Sequence, residues 1–182
     1  MGNAAIQSME QTLARSSRGE AAAFEEIMRQ NQSMVYSLCY HFLHDSGHAE
    51  EAAQDVFVRL YQNMSSIQSA SHLVRWLRKV AYRRCIDESR KMPDLPPIAL
   101  RDIENWPSDE RAADPWLSRR LRLMVASLPK DARMVVILRF QEDLDLTEIA
   151  EILDIPLNTA KSRLLRSLDI LRDKLGRYTG DI

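Results

Sequence analysis

The chain is short of what a membrane span, a disulfide scaffold or a turn-rich β-protein needs. No run of about eighteen apolar residues occurs, so no membrane-spanning helix is expected. Glycine numbers 5 and proline 7 in 182 residues, and aromatics make up 7%. That is too little turn chemistry for many short strands, and no segment shows a sustained two-residue alternation. Only two cysteines are present, Cys39 and Cys85. They form no C-x-x-C, which excludes a disulfide framework and a cysteine zinc site. Each lies in an apolar pattern, so both are expected to be buried thiols of a reducing compartment. The leading MGNAAIQSMEQTLARSS has no apolar signal core, and position 6 is Ile6, not the Ser or Thr that myristoylation favours. A cytoplasmic protein is expected.

Net charge is also nearly absent, at −1, but the balance hides a segregation. His72–Lys91 carries Arg75, Arg78, Lys79, Arg83, Arg84, Arg90 and Lys91 against Asp87 and Glu88. Pro156–Tyr178 carries Lys161, Arg163, Arg166, Arg172, Lys174 and Arg177 against Asp169 and Asp173. Between them, Pro93–Pro115 is acidic. Local patches, more than net charge, decide where phosphates are attracted.

What is abundant is Leu, Ala, Arg and Glu in helical periods. After a short or frayed helical lead-in, one stripe runs through Phe24, Ile27, Met28, Val35, Leu38, Cys39 and Phe42, and His44–Gly47 interrupts it. A second runs through Ala49, Ala52, Ala53, Val56, Phe57, Leu60, Tyr61 and Met64. A polar loop is expected over Ser65–Ser71, then a third helix burying Leu73, Trp76, Leu77, Val80, Ala81 and Cys85. Met92–Pro115 holds five of the prolines (93, 96, 97, 107 and 115) and has no period, which predicts a linker with Ile98 and Trp106 as apolar islands. Helical pattern returns with Leu117, Leu121, Met124, Val125 and Leu128. Asp131 is a candidate cap for the next helix, with Val135, Ile137, Leu138 and Phe140 apolar. Asp145 with Glu148 forms a capping-box pattern. The expected fold is all-α: helical domains over 1–91 and 116–182, joined by the linker 92–115.

LTEIAEILDIPLNTAKSRLLRSL, Leu146–Leu168, has the layout of a helix-turn-helix. Asp154 sits where the turn needs a residue tolerant of left-handed backbone, and Pro156 suits the first turn of the second helix. With Leu157, Ala160, Leu164 and Leu168 inward, Asn158, Thr159, Lys161, Ser162, Arg163 and Arg166 face out. Short polar groups permit close approach, and Arg and Lys suit guanine and phosphate. The bland alternative is a charged hairpin face. In the third helix, Trp76 accompanies Arg75, Arg78, Lys79 and Arg83, a mix suited to stacking single-stranded bases while cations track the backbone. The alternative there is a core Trp76 with solvated arginines. His41, His44 and His48, with Asp45 and Glu51 nearby, raise a metal-dependent enzyme. However, Ser46-Gly47 is expected to break the helix between His44 and His48, and neither H-E-x-x-H nor a Cys ligand is present. No metal is expected.

HAEEAAQDVFVRLYQ, VRWLRKVAYRRCIDESRK and the long segment from Leu128 to Arg172, with Ala160–Leu164 as A-K-S-R-L, together resemble a bacterial sigma factor of the extracytoplasmic-function group. Residues 20–91 resemble its region two and residues 116–175 its region four. The chain departs from the family pattern at Tyr82-Arg83, where an Arg-Asn pair is usual, at Asp154 and Asn158, where Gly is usual or frequent, and at Pro156, where Ser is usual.

The resemblance implies a promoter-specificity subunit of RNA polymerase with no catalytic residues, no cofactor and no enzymatic activity. It implies polymerase contacts at Glu51, Gln54, Asp55, Phe57, Arg59 and Leu60, with Phe57 expected as an exposed aromatic. It implies that Arg75, Trp76, Arg78, Lys79 and Arg83, with the loop before them, hold the melted minus-ten strand. The outward residues of the second helix of the helix-turn-helix would read the minus-thirty-five duplex. The implied partners are core RNA polymerase, promoter DNA and an anti-sigma factor, without membrane insertion. A stand-alone helix-turn-helix regulator is the alternative reading.

Overall fold

The computed structural model describes residues 3–92 and 115–179, with side chains over 8–92 and 121–176. Most of the expected linker, with Ile98 and Trp106, lies outside the described residues. Among these there is no strand, and no helix is long and apolar enough to cross a membrane. The chain divides into two compact units, Met1–Ser89 and Arg90–Ile182.

In the first unit, the lead-in is a full helix, α1 (Asn3–Ser16), packed on α2 (Ala21–Leu43). Gly19 turns the chain between them at φ 89°, a left-handed conformation that costs glycine least. The inner row of α2 is Ala23, Ile27, Asn31, Val35, Leu38, Cys39 and Phe42, all buried. Asn31 satisfies its buried amide by donating from Nδ2 to the Ile27 carbonyl at 2.8 Å. The expected break over His44–Gly47 narrows to two residues. His44 is left-handed at φ 59°, and Asp45 caps α3 (Ser46–Gln62) by accepting the His48 N–H at 2.8 Å. Ser46 and Gly47 are therefore helical, because the cap satisfies a first-turn N–H that the helix itself cannot.

Helix α3 buries Ala49, Ala52, Ala53, Val56, Phe57 and Leu60, while Tyr61, expected inward, is 68% exposed. The expected polar loop is partly ordered: a 3-10 turn spans Met64–Ser66, and Ser69 Oγ accepts the His72 N–H at 3.1 Å, starting α4 (Ala70–Lys91) at Ala70. Helix α4 buries Leu73, Leu77, Ala81 and Cys85, and leaves Trp76 and Val80 half-buried on its flanks. Cys39 and Cys85 are free, fully buried and in contact. The hydrogen bond with Cys39, with burial adding to it, pushes the Cys85 thiol well up.

A charge network joins α3 to α4. Arg84 Nε donates to Asp55 Oδ2 at 2.5 Å, and its NH2 to Glu88 Oε2 at 3.1 Å. Glu88 Oε1 lies 3.1 Å from His48 Nδ1. The Arg84 and Glu88 side chains are 10% and 3% exposed. Burial alone would lower the Arg84 pKa, but Asp55, Glu88 and Glu51 outweigh it and hold it above its ordinary value.

The second unit is α5 (Pro115–Ala126), α6 (Lys130–Phe140), α7 (Leu146–Leu153) and α8 (Leu157–Thr179). Helix α6 is central: every residue from Ala132 to Leu138 is buried, and α5, α7 and α8 all pack on it. Phe140, at its end, is 63% exposed. Arg133 is buried within α6 and donates to the carbonyls of Ala126, the last residue of α5, and Leu128, two residues after it. Burial pulls its guanidinium down to about 10, still fully charged at neutral pH. Asp131 does not cap α6. It lies inside the first turn after Pro129, where its carboxylate suits the helix dipole, and it pairs with Arg163. Asp145 does cap α7 in a complete capping box: Oδ1 accepts from Thr147 and Glu148 N–H at 2.7 and 2.9 Å, and Glu148 Oε2 accepts the Asp145 N–H at 2.9 Å.

Two predictions follow from these contacts. Asp145→Ala should lower the stability of the second unit by about 1 kcal/mol in urea titration. Arg84→Ala should destabilise the first unit by about 3–5 kcal/mol, because it strands buried Glu88. The paired change Arg84→Met with Glu88→Leu should restore most of that loss, since it leaves no buried charge alone.

Candidate nucleic-acid interface

Helix α7, the turn Asp154–Pro156 and α8 form the helix-turn-helix. Asp154 adopts φ 58°, ψ 47°, the left-handed backbone expected of it at the turn. The Pro156 carbonyl accepts from Thr159 and Ala160 at 2.9 and 3.1 Å, which places Pro156 immediately before α8 and not in its first turn. Ala160, Ser167 and Leu171 are buried and Leu164 is partly so, while Leu157, expected inward, is 38% exposed at the open end of that row.

On the outer side, Asn158, Lys161 and Arg166 are exposed, and Thr159 and Ser162 are half-buried. The Ser162 hydroxyl donates to the Thr159 carbonyl at 3.0 Å. Arg163 departs from the expectation. Three residues after buried Ala160, it leans toward α6, where its NH2 donates to Asp131 Oδ2 at 2.9 Å and its side chain is 25% exposed. It braces α8 against α6. Leu165, 63% exposed on the arc between Lys161 and Ser162, had not been singled out. Its spacing of four from Lys161 was the available signal.

On α4, Arg75, Lys79 and Arg83 follow one another at intervals of four and form a basic row opposite Leu73, Leu77 and Ala81. Arg75 and Arg83 are exposed, and Trp76, Arg78 and Lys79 are half-buried. These four cations also have interactions within the protein. Trp76 keeps part of its surface accessible, which a stacking role requires and a core role does not.

On α3, Glu51, Gln54 and Arg59 are exposed and Asp55 is tied to Arg84. Leu60 is fully buried and Phe57 is 6% exposed, so Phe57 is not the exposed aromatic that the resemblance implied. Both lie in phase with Val56 and Ala53 on the core stripe. The large apolar side chains that reach the surface here are Val58 and Tyr61, 55% and 68% exposed. With Phe24, Met28 and Tyr36 of α2 they line a groove of about 840 Å³, with Glu50 and Gln54 among its polar lining. Tyr61 meets Phe24 edge to face at 5.1 Å. Val58 falls out of phase with the core stripe, and that was its signal in the sequence.

Residues 27–92 match the family model described as Sigma-70 region 2, and residues 118–171 match Sigma-70, region 4. The chain is similar to the extracytoplasmic-function RNA polymerase sigma factor SigW of Bacillus subtilis, 30% identical over 171 residues, spanning 87% of this chain and 91% of the relative. It is 28% identical over 171 residues to the corresponding sigma-E factor of Escherichia coli, spanning 87% and 89%. Its fold is like that of CnrH, solved in complex with the cytosolic domain of CnrY (TM-score 0.69, 16% identity, 92% and 97% covered). It is also like that of sigma factor RpoE, solved with the anti-sigma factor NepR from Bartonella quintana (TM-score 0.66, 18% identity, 84% and 96% covered). With both sigma regions matched in order and a relative at this identity over nearly its whole length, the chain belongs to the extracytoplasmic-function group of RNA polymerase sigma factors.

Proposed function

We propose that this sigma factor divides promoter recognition between a region-two domain over 1–91 and a region-four domain over 116–182, joined by the linker 92–115. Asn158, Thr159, Lys161, Ser162 and Arg166 meet the minus-thirty-five duplex, with Arg163 holding α8 in place. The observation that carries this reading is the outer arc of α8, where Asn158, Lys161 and Arg166 are exposed behind a capped turn. Arg and Lys there supply phosphate attraction, and the short polar side chains permit approach to base edges. Arg75, Trp76, Arg78, Lys79 and Arg83 hold the minus-ten strand once it is single, by stacking and backbone attraction. Transcription chemistry belongs to core polymerase; this chain supplies binding and strand capture in the cytoplasm and needs no cofactor.

Core polymerase docks on α3 through Glu51, Gln54, Asp55 and Arg59, with Phe57 and Leu60 holding that face from beneath. Val58 and Tyr61 extend the surface into the groove against α2. An apolar patch with a polar rim is the arrangement of an interface hot spot. An anti-sigma factor is the proposed regulator, as the solved relative RpoE is bound to one.

The direct test is reconstitution with sigma-free core polymerase on genomic promoter fragments, followed by transcript sequencing. Discrete starts sharing two spaced upstream motifs are expected; no co-migration with core and no starts would overturn the reading. In the same assay, Lys161→Ala and Arg166→Ala separate two roles. A base reader relaxes selectivity at one promoter position by about 1–3 kcal/mol, and a phosphate contact weakens all promoters alike. Arg163→Ala should instead lower stability by no more than about 1 kcal/mol and, by loosening α8, reduce transcription from all promoters without relaxing selectivity at one position. Tyr61→Ala should weaken binding to core polymerase by about 2 kcal/mol, near thirtyfold, while the loss of its edge-to-face contact with Phe24 costs the free chain only about 0.5–1.5 kcal/mol in urea titration.

A further inference from the structure

We propose that His48, Glu51 and Glu88 form a binding site for one divalent transition-metal ion at the seam of α3 and α4. His48 and Glu51 are three residues apart on α3 and so share a side of that helix. Glu88 reaches the same point from α4. One ligand atom from each of the three lies within 4.8 Å of the others, and His48 Nδ1 is 3.1 Å from Glu88 Oε1. Nitrogen and oxygen ligands sit about 2.0–2.2 Å from such an ion, so small side-chain movements bring all three onto one centre.

The charges match. Glu51, Glu88 and Asp55 gather around the single guanidinium of Arg84, an acidic surrounding that attracts a dication. Glu88 is 2% exposed, and a carboxylate so deeply buried demands compensation. Arg84 serves its Oε2, while Oε1 faces His48, where a proton or a metal can bridge. One imidazole with two carboxylates selects a zinc-, cobalt- or nickel-type cation over calcium or magnesium, which take oxygen ligands alone. His48 is 40% exposed on its side chain and Glu51 lies on the surface, so the remaining positions open to water. This is a site with exchangeable metal, unlike a closed structural centre.

The sequence expectation of no metal weighed His48 against its chain neighbours; the deciding ligand, Glu88, is 40 residues away. Glu51 is also one of the residues assigned above to polymerase docking. Metal and core polymerase would then compete for it, a consequence that rests on that assignment, whereas the site itself does not.

The test uses the full, untagged, metal-stripped chain and titrates Co2+ by visible absorption, with Zn2+ as competitor. Saturation at one equivalent is expected, with ligand-field bands, no thiolate charge-transfer band, and displacement by Zn2+. His48→Ala and Glu51→Gln change accessible side chains and should keep the helical circular dichroism. Each should weaken binding at least about tenfold. Absence of saturable Co2+ and Zn2+ binding overturns the site. So does binding that both substitutions leave unchanged, since the metal then sits elsewhere.

Discussion

The first unit turns on one buried cation. Arg84 lies between Asp55 of α3 and Glu88 of α4, nearly out of solvent. A nearly buried guanidinium needs its carboxylate partners, and of the two it is Glu88, 3% exposed, that depends on it in turn. The arrangement therefore sets the rotation of α4 about its axis. With Leu73, Leu77, Ala81 and Arg84 inward, Arg75, Lys79 and Arg83 must stand out on the other side. The same clamp holds Asp55 against α4 and leaves Glu51 and Gln54 exposed. A single interaction thus ties the basic row of α4 to the exposed face of α3.

The second unit uses arginine in the same structural way twice. Arg133, inside α6, donates to the carbonyls of Ala126 and Leu128, so charged hydrogen bonds hold the chain between α5 and α6. Arg163 ties α8 to Asp131 of α6. With the capping box of α7 and the left-handed Asp154, these contacts hold the two helices of the motif at a set angle, which matters because only a rigid helix can present a repeatable set of side chains to a groove. Arg84, Arg133 and Arg163 thus build the fold, while Arg75, Arg83 and Arg166 keep exposed side chains.

Under the roles proposed here, neither unit needs to bind tightly by itself. Small basic faces bind DNA with an affinity that falls steeply with salt. Attachment to polymerase turns two such encounters into intramolecular ones at high effective concentration. The groove lined by Tyr36, Val58 and Tyr61 is therefore as consequential as the DNA faces, since docking is what converts weak contacts into recognition.

The sequence by itself determined the helical class, the division into two helical segments, the capping box at Asp145 and the turn at Asp154, because helical period, cap chemistry and turn tolerance are local properties that a few neighbouring residues settle. It also made most of the basic outer faces legible, since charge and core residues alternate with the helical period. Tertiary structure decided which members of those faces brace the fold. Arg163 and Arg84 read as surface cations until Asp131, 32 residues away, and Asp55, 29 residues away, are brought beside them. Helical period placed Phe57 and Leu60 inward, as they are, but it placed Tyr61 inward as well, and packing leaves Tyr61 and Val58 exposed. The meeting of His48 and Glu51 with Glu88 belongs to the same class. Partners distant in the chain leave no mark on local periodicity, so only packing of one helix on another reveals them.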